Sequence, residues 1–466
     1  MRQRRMSMIW LGAGLAAVMI AACGGSGGGE PAPASNSGAS PLRWSQLFAA
    51  EGVQSGWHVA VDGTGHVVVV GTMEGTVDFG GEKVTAAADG DLFVARYDAA
   101  GKLVWVRHFG QSGGYQVPLG LAVSQGGDIA ISGAVEGTID FGGGALTSAG
   151  DADAFLVLLG PDGAHRFSTH AGDALVQSGG NVAMDAAGNV LWTGTFEGTL
   201  DLGGNALASA GESDIFVAKL DPTGAVVFAQ RIGAAGIEGD GSIAADSEGN
   251  VIASGYYQGA PDLGGGPLPD TQQAEGQFLV KLDANGKHVH SRGAVAQDGF
   301  FSYTLEADGD GGVLLAGRLI GAVDLGGQTL EAPGGRGFGV ARIDRSGAVV
   351  FAQAYGSTGP GATFAAAAPE GEVVVAGTFE GDVDLGGEKL TSAGGEDIFV
   401  ARVDATGKIQ QHTQLGGPGS ERVWSVAVAP DGAMVLTGGF DGSIDLGGGP
   451  RASAGDEDAF VAVVRP

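Results

Sequence analysis

At seven equivalent positions the chain carries Ala60, Ala122, Ala183, Ala244, Glu306, Ala366 and Ala427. Six methyl groups and one carboxylate make Glu306 an exception that packing does not require. One residue earlier the row reads His58, Gly120, Asn181, Ser242, Thr304, Phe364 and Ser425, and beside it stand Trp57, Tyr303 and Trp424. A carboxyl and an imidazole near one opening are groups used in general acid–base catalysis. Aromatic faces around a concave mouth suit a small polar or carbohydrate-like ligand. Trp57, Tyr303 and Trp424 would then stack on the ligand, with His58 and Glu306 as its polar contacts. The alternative is an enzyme acting on polysaccharide, with Glu306 and His58 as its acid/base pair. A plainer reading has the rings plugging a channel and Glu306 solvated within it.

Other chemistry is missing from the sequence. There is no GxSxG, HExxH or P-loop pattern, and His288 and His290, two apart on one strand face, have no third metal ligand placed by any pattern. Calcium is the one metal that the acidic loops DGD (89–91) and DAD (151–153) could take. No loop has the full DxDxDG ladder of alternating ligands, so no cofactor is expected.

These equivalences come from an internal repeat. The phrase D[FL]GG begins at Asp78, Asp140, Asp201, Asp262, Asp324, Asp384 and Asp445, at intervals of 62, 61, 61, 62, 60 and 61 residues. A second marker, the aromatic of DxFVA, keeps the same step at Phe93, Phe155, Phe216, Phe278, Phe338, Phe399 and Phe460. Apolar residues alternate by two, which is the period of strands. Four strands recur per unit, in the first as WHVAVD (57–62), HVVVVG (66–71), LFVARY (92–97) and LVWVRHF (103–109). Asp/Gly pairs such as DGTG and DAAG join them as tight hairpins.

Four antiparallel strands repeated radially are propeller blades. The chain enters with LRWSQLF (42–48), whose Trp44 aligns with Trp105 of a fourth strand, and leaves after AFVAVV, a third strand. The expectation is therefore an all-β, seven-bladed β-propeller over residues 41–466. Its last blade would take its fourth strand from the N-terminus, a one-plus-three closure that protects the edges. The row of six alanines and Glu306 is expected to line the axial channel. The Asp of each D[FL]GG is expected to cap the following glycine turn.

The phrases GNVLWTGTFEG and DIFVAKLDPTG, with their counterparts in the other units, resemble the bacterial seven-bladed propeller repeat known as SBBP, found in secreted and surface proteins. The resemblance covers residues 41–466 and implies a surface or periplasmic scaffold without chemistry. It departs at EGTVDFGG, where the family commonly has a short Ser/Thr-Asp-Phe-Pro segment, so the second-to-third strand excursion is left open.

The first forty residues carry a different message. Residues 1–22 have a basic start (Arg2, Arg4, Arg5) followed by an apolar run, the pattern of a signal peptide. IAAC (20–23) resembles the lipobox of bacterial lipoproteins, which implies that Cys23, the only cysteine, is lipidated and becomes the mature N-terminus. Residues 23–40 are Gly-, Ser- and Pro-rich and read as a tether. The same lipobox resemblance implies the outer membrane, since Gly24 after the cysteine is not the Asp that in lipoproteins goes with inner-membrane retention. The chain has 90 glycines and a net charge of −29, which excludes nucleic acid and anionic head groups as partners. The expected protein is a lipid-anchored, monomeric envelope protein that binds an envelope protein or a glycan and does not catalyse.

Overall fold

The computed structural model describes residues 42–87, 90–110, 114–272, 275–295, 300–308, 311–325 and 328–465, apart from the side chains of residues 240, 294–295 and 300–304. Cys23 and the tether therefore lie outside the described residues, as does Asp89 of the first acidic loop.

Among the described residues all regular structure is strand, except for one 3-10 turn at Pro369–Gly371. The first unit is an antiparallel meander of Ser55–Val61, Val67–Met73, Asp91–Tyr97 and Leu103–Phe109. The same order recurs along the chain. Later the strand Val349–Ala367 is long enough to be the last strand of one meander and the first of the next, which merges the two into one sheet. In the final meander Leu42–Phe48 pairs antiparallel with Asp458–Val464, from Phe48 opposite Ala459 to Leu42 opposite Val464. Two segments at opposite ends of the sequence thus share one sheet.

Each meander is buried on both faces, which is why its middle strands read as unbroken apolar runs. Val67 and Val69 pack toward Val435, Val461 and Val463 of the final meander. Val68 and Val70, on the other face, pack toward Ile129, Ile131 and Val157 of the next. Fourth strands meet differently: Trp44, Trp105, Phe167, Phe228 and Phe351 each lie over the hairpin glycine of the adjacent meander. A Cβ on Gly101 would sit 2.5 Å from Cδ2 of Trp44, and φ there is +84°, so both space and backbone demand glycine.

The excursion between second and third strands is a β-hairpin, Thr76–Asp78 against Lys83–Thr85 in the first unit. Its Asp78 Oδ1 accepts the N–H groups of Gly80 (3.0 Å) and Gly81 (2.7 Å), the capping role expected of D[FL]GG. Asp140, Asp201, Asp262, Asp384 and Asp445 accept from their own glycines in the same way. In Val373–Asp384 and Lys389–Val403 the excursion runs on without interruption from the core strands.

Candidate functional site

The first strand of each meander has a register step at the same place. Partners shift between Gly56 and His58, Pro118 and Gly120, Gly179 and Val182, Asp240 and Ile243, Ser302 and Thr304, Pro360 and Thr363, and Val423 and Ser425. Such a bulge leaves a residue unpaired and turns its side chain away from the regular alternation. Trp57 and Trp424 are residues released in this way, and the backbone of Tyr303 lies at the corresponding step. Strand alternation alone does not reveal this, because a bulge breaks the period of two on which a pattern of alternating residues depends.

Trp57 and Trp424 come together. Their ring centroids are 5.9 Å apart at an interplanar angle of 31°, across the junction between the first and final meanders. Trp57 Nε1 donates to Thr72 Oγ1 at 3.1 Å, while Trp424 Nε1 is enclosed with no acceptor among the described residues. Next to them Arg422 Nε donates to Glu396 Oε2 at 2.5 Å, and its Nη1 lies 3.7 Å from Glu457 Oε2. Tyr303 falls on Phe300–Ala307, and its side chain lies outside the described residues.

His58 and Glu306 retain some accessible surface but are enclosed by protein at depth. Burial lowers His58 to about 4, so its imidazole is neutral at neutral pH. Burial pushes Glu306 up to about 7, against the opposing effect of the Ala367 N–H that its Oε2 accepts at 3.1 Å. The carboxyl is thus the proton carrier and the imidazole an acceptor. The structure does not bring them together: Ser55–Val61 packs against Glu421–Val428 and Tyr115–Val123, whereas Phe300–Ala307 packs against Gly239–Ala245 and Val349–Ala367.

The row containing Glu306 differs from expectation. Ala122, Ala183, Ala244 and Ala427 pack in clusters shared with the following meander, and Glu306 reaches the backbone of the following meander at Ala367. The row faces a seam between sheets and does not simply line an axial channel. Side chains on both faces of a radial sheet point at its neighbours, which a division of one strand into a core row and a channel row overlooks.

Among the described residues no three His, Cys, Asp or Glu side chains gather as a metal site. His290 is held low by burial and by Lys281, Arg292 and His288, a setting that disfavours a cation. Asp153 is fully buried, with Oδ2 accepting the Ala149 N–H at 3.1 Å, the strand-entry hydrogen bond of its loop.

One constellation escapes a reading of the sequence unit by unit. Buried Gln54, Gln116, Gln177, Glu238 and Glu421 sit at the starts of five of the seven first strands, eight residues before each hairpin turn. They meet the buried Asp that opens the third strand of the preceding meander, as Glu238 meets Asp214 and Glu421 meets Asp397. Where that Asp is replaced, by Gly276 and Arg336, the partner is replaced too, by Phe300 and Pro360. This joint loss within the repeat was a signal available in the sequence.

Comparison with known proteins adds a partial family match. The model described as WD40, "WD domain, G-beta repeat", matches residues 409–446, one short stretch of the chain. No curated protein matches. Among solved structures the chain is similar to one titled "Structure of Dos1 propeller", with 11% identity, 92% of this chain and 97% of that one covered, and a TM-score of 0.44. It is also similar to "YCF48 bound to D1 peptide", with 10% identity, 94% and 97% coverage and a TM-score of 0.42. A third is a protein of unknown function from Dyadobacter fermentans, with 12% identity, 90% and 98% coverage and a TM-score of 0.39. On its repeated four-stranded antiparallel meanders, packed face to face along the chain, this is an all-β propeller repeat protein.

Proposed function

We propose that the chain is a seven-bladed propeller of the SBBP type, closed by the N-terminal strand and anchored through a lipidated Cys23 in the bacterial outer membrane. In this reading it is a non-catalytic binding or scaffold protein for an envelope protein or glycan. The observation that carries the binding reading is the pair of bulge-released indoles, Trp57 and Trp424, beside the charged group of Arg422, Glu396 and Glu457. Paired aromatic faces rimmed by polar groups suit a sugar ring or a similar polar ligand. The separation of His58 from Glu306 favours binding over acid–base catalysis.

A glycan array probed with the wild-type chain and with Trp57→Ala tests this. A sugar retained by the first and lost by the second supports the site, and equal binding by both places it elsewhere. Calorimetry with any retained glycan should show at least about a tenfold loss for Trp57→Ala, in line with the ~0.5–1.5 kcal/mol of an aromatic contact plus lost area. The anchor is tested separately by metabolic labelling with a fatty acid. Wild type should incorporate label and Cys23→Ser should not; equal labelling removes the lipoprotein reading.

A further inference from the structure

We propose that Asp214 with Glu238, and Asp397 with Glu421, are carboxyl pairs that each hold one shared proton, and that they act as latches between adjacent sheets which weaken as the solution turns alkaline.

The glutamine at the sister position shows what the site requires. Gln177 Oε1 accepts the N–H of Asp173, four residues back, at 3.0 Å, and its Nε2 donates to Asp173 Oδ1 at 2.9 Å and to the Glu197 carbonyl at 3.0 Å. Glu238 Oε2 accepts the Ala234 N–H at 3.1 Å and Glu421 Oε2 accepts the Gly417 N–H at 3.0 Å, again from four residues back. The backbones correspond as well, since Gln177 N–H donates to the Ala152 carbonyl and Glu238 N–H to the Ser213 carbonyl. One oxygen of each glutamate therefore occupies the place of the amide oxygen. The other, Oε1, stands where glutamine has its N–H donors.

Among the described residues nothing donates to Glu238 Oε1, Glu421 Oε1, Asp214 Oδ1 or Asp397 Oδ1, and all four residues are fully buried. Each glutamate is in hydrogen-bond contact with its aspartate. Two facing acceptors without a donor are costly, and one proton between them satisfies both. A protonated glutamate then carries a donor where glutamine carries its own, but directs it to the aspartate of the preceding meander, whereas Gln177 directs its donors to Asp173 and the Glu197 carbonyl.

Other partners fill the outer oxygens of the two aspartates and leave the inner ones to the shared proton. Arg231 Nη1 lies 3.2 Å from Asp214 Oδ2, which leaves Oδ1 to face the glutamate. Gln414 and the Ala393 N–H occupy Asp397 Oδ2. Asp441 faces Glu421 and opposes its ionisation, while Arg422 is turned to Glu396. Burial is the largest influence on both glutamates, raising Glu238 to about 7 and Glu421 to about 8.

These raised values fix the sign of the pH effect. The unfolded glutamates release their protons near pH ~4.3, while the folded ones keep theirs. Between that value and the raised one the native state binds more protons than the unfolded state, so stability falls as pH rises through the window. Above it the loss is complete.

Urea unfolding of the full chain and of Glu238→Gln/Glu421→Gln, at about pH 5, 7 and 9, tests this. The wild-type folding constant should fall relative to the variant's by about tenfold per pH unit per pair within the window. Hydrogen exchange should quicken at alkaline pH in Gly239–Ala245 and Glu421–Val428 of the wild type alone. Parallel pH curves for the two proteins overturn the proposal. So does calcium that stabilises the wild type at alkaline pH and not the variant, which would mean a bridging cation in place of a proton. If the Gln variant does not fold, Asp214→Asn/Asp397→Asn removes the same shared proton from the other side. It should flatten the curve equally, and an unflattened curve overturns the proposal.

Discussion

Removal of the chain up to and including Phe48 lowers the unfolding midpoint by several degrees or more, or drives the protein to aggregate. The strand Leu42–Phe48 is the outer partner of Asp458–Val464, which without it presents a row of unpaired backbone groups as an open edge. The strand also ties two sheets together. Phe48 is fully buried, with ring centroids 5.3 Å from Phe79, 5.4 Å from Phe93 and 6.5 Å from Tyr97, all in the first meander. Trp44 lies 5.7 Å from Tyr97, and its Nε1 donates to the Ala99 carbonyl at 3.3 Å. Losing Phe48 alone costs about 3–5 kcal/mol by analogy with Phe→Ala in cores. Thermal melts of the full and truncated proteins, with light scattering to record aggregation, read the result. A truncated protein that melts as the full one does would mean that the strand fastens nothing.

The periodic features were open to reading from the sequence because each recurs in fixed register. Asp78 and its counterparts capping glycine turns, the runs around Val67–Val70, and the kinship of Trp44 with Trp105 all come from spacing and side-chain type. The side-chain directions at the first strands were not open to it, since one inserted residue at Trp57 or Trp424 rotates the rest of the strand. Glu306 stood out as chemistry, yet its orientation toward Ala367 depends on how sheets pack face to face, which the period does not encode. The pairing of Asp397 with Glu421 spans one unit and the next, so neither residue shows its partner by spacing within a unit. Only their joint replacement elsewhere, at Gly276 with Phe300 and Arg336 with Pro360, carries the connection.

A second set of seam contacts gives a strong expectation for Lys219 and Asp185. Lys219, on a third strand, is buried with Nζ 2.9 Å from Asp185 Oδ2, and it donates to the Gly249 carbonyl of the next meander at 2.9 Å. Arg96 with Asp62, Lys281 with Asp246, Arg342 with Asp308 and Arg402 with Glu372 repeat the arrangement. Where the third strand has Leu158 or Val463 in place of the cation, the hairpin has Ser124 or Ala429 in place of the acid. At the leading position of the hairpin, cation and acid are present together or absent together, except that Arg402 takes its acid from Glu372, four residues past Ala368. A buried charge left without its partner costs about 3–5 kcal/mol, whereas exchanging the whole pair for well-packed neutral groups is close to neutral. Lys219→Leu and Asp185→Ser should therefore each destabilise by about that amount, and the double variant, which imports the Leu158 and Ser124 solution, by much less. Serine suits the hairpin, since Ser124 Oγ accepts the Asp128 N–H at 3.0 Å, as Asp185 Oδ1 accepts the Asn189 N–H at 2.9 Å. Burial alone would raise Asp185, but hydrogen bonds from Asn189 and Lys219 outweigh it and hold the carboxyl below its usual range. Its contribution is then present above the unfolded carboxylate value and is lost as pH falls through the lowered one, opposite in sign to the shared-proton pairs. Urea unfolding of the two single variants and the double variant at neutral pH completes the cycle. Costs that simply add would show that the two residues hold their sheets independently and that their joint absence elsewhere in the repeat has another cause.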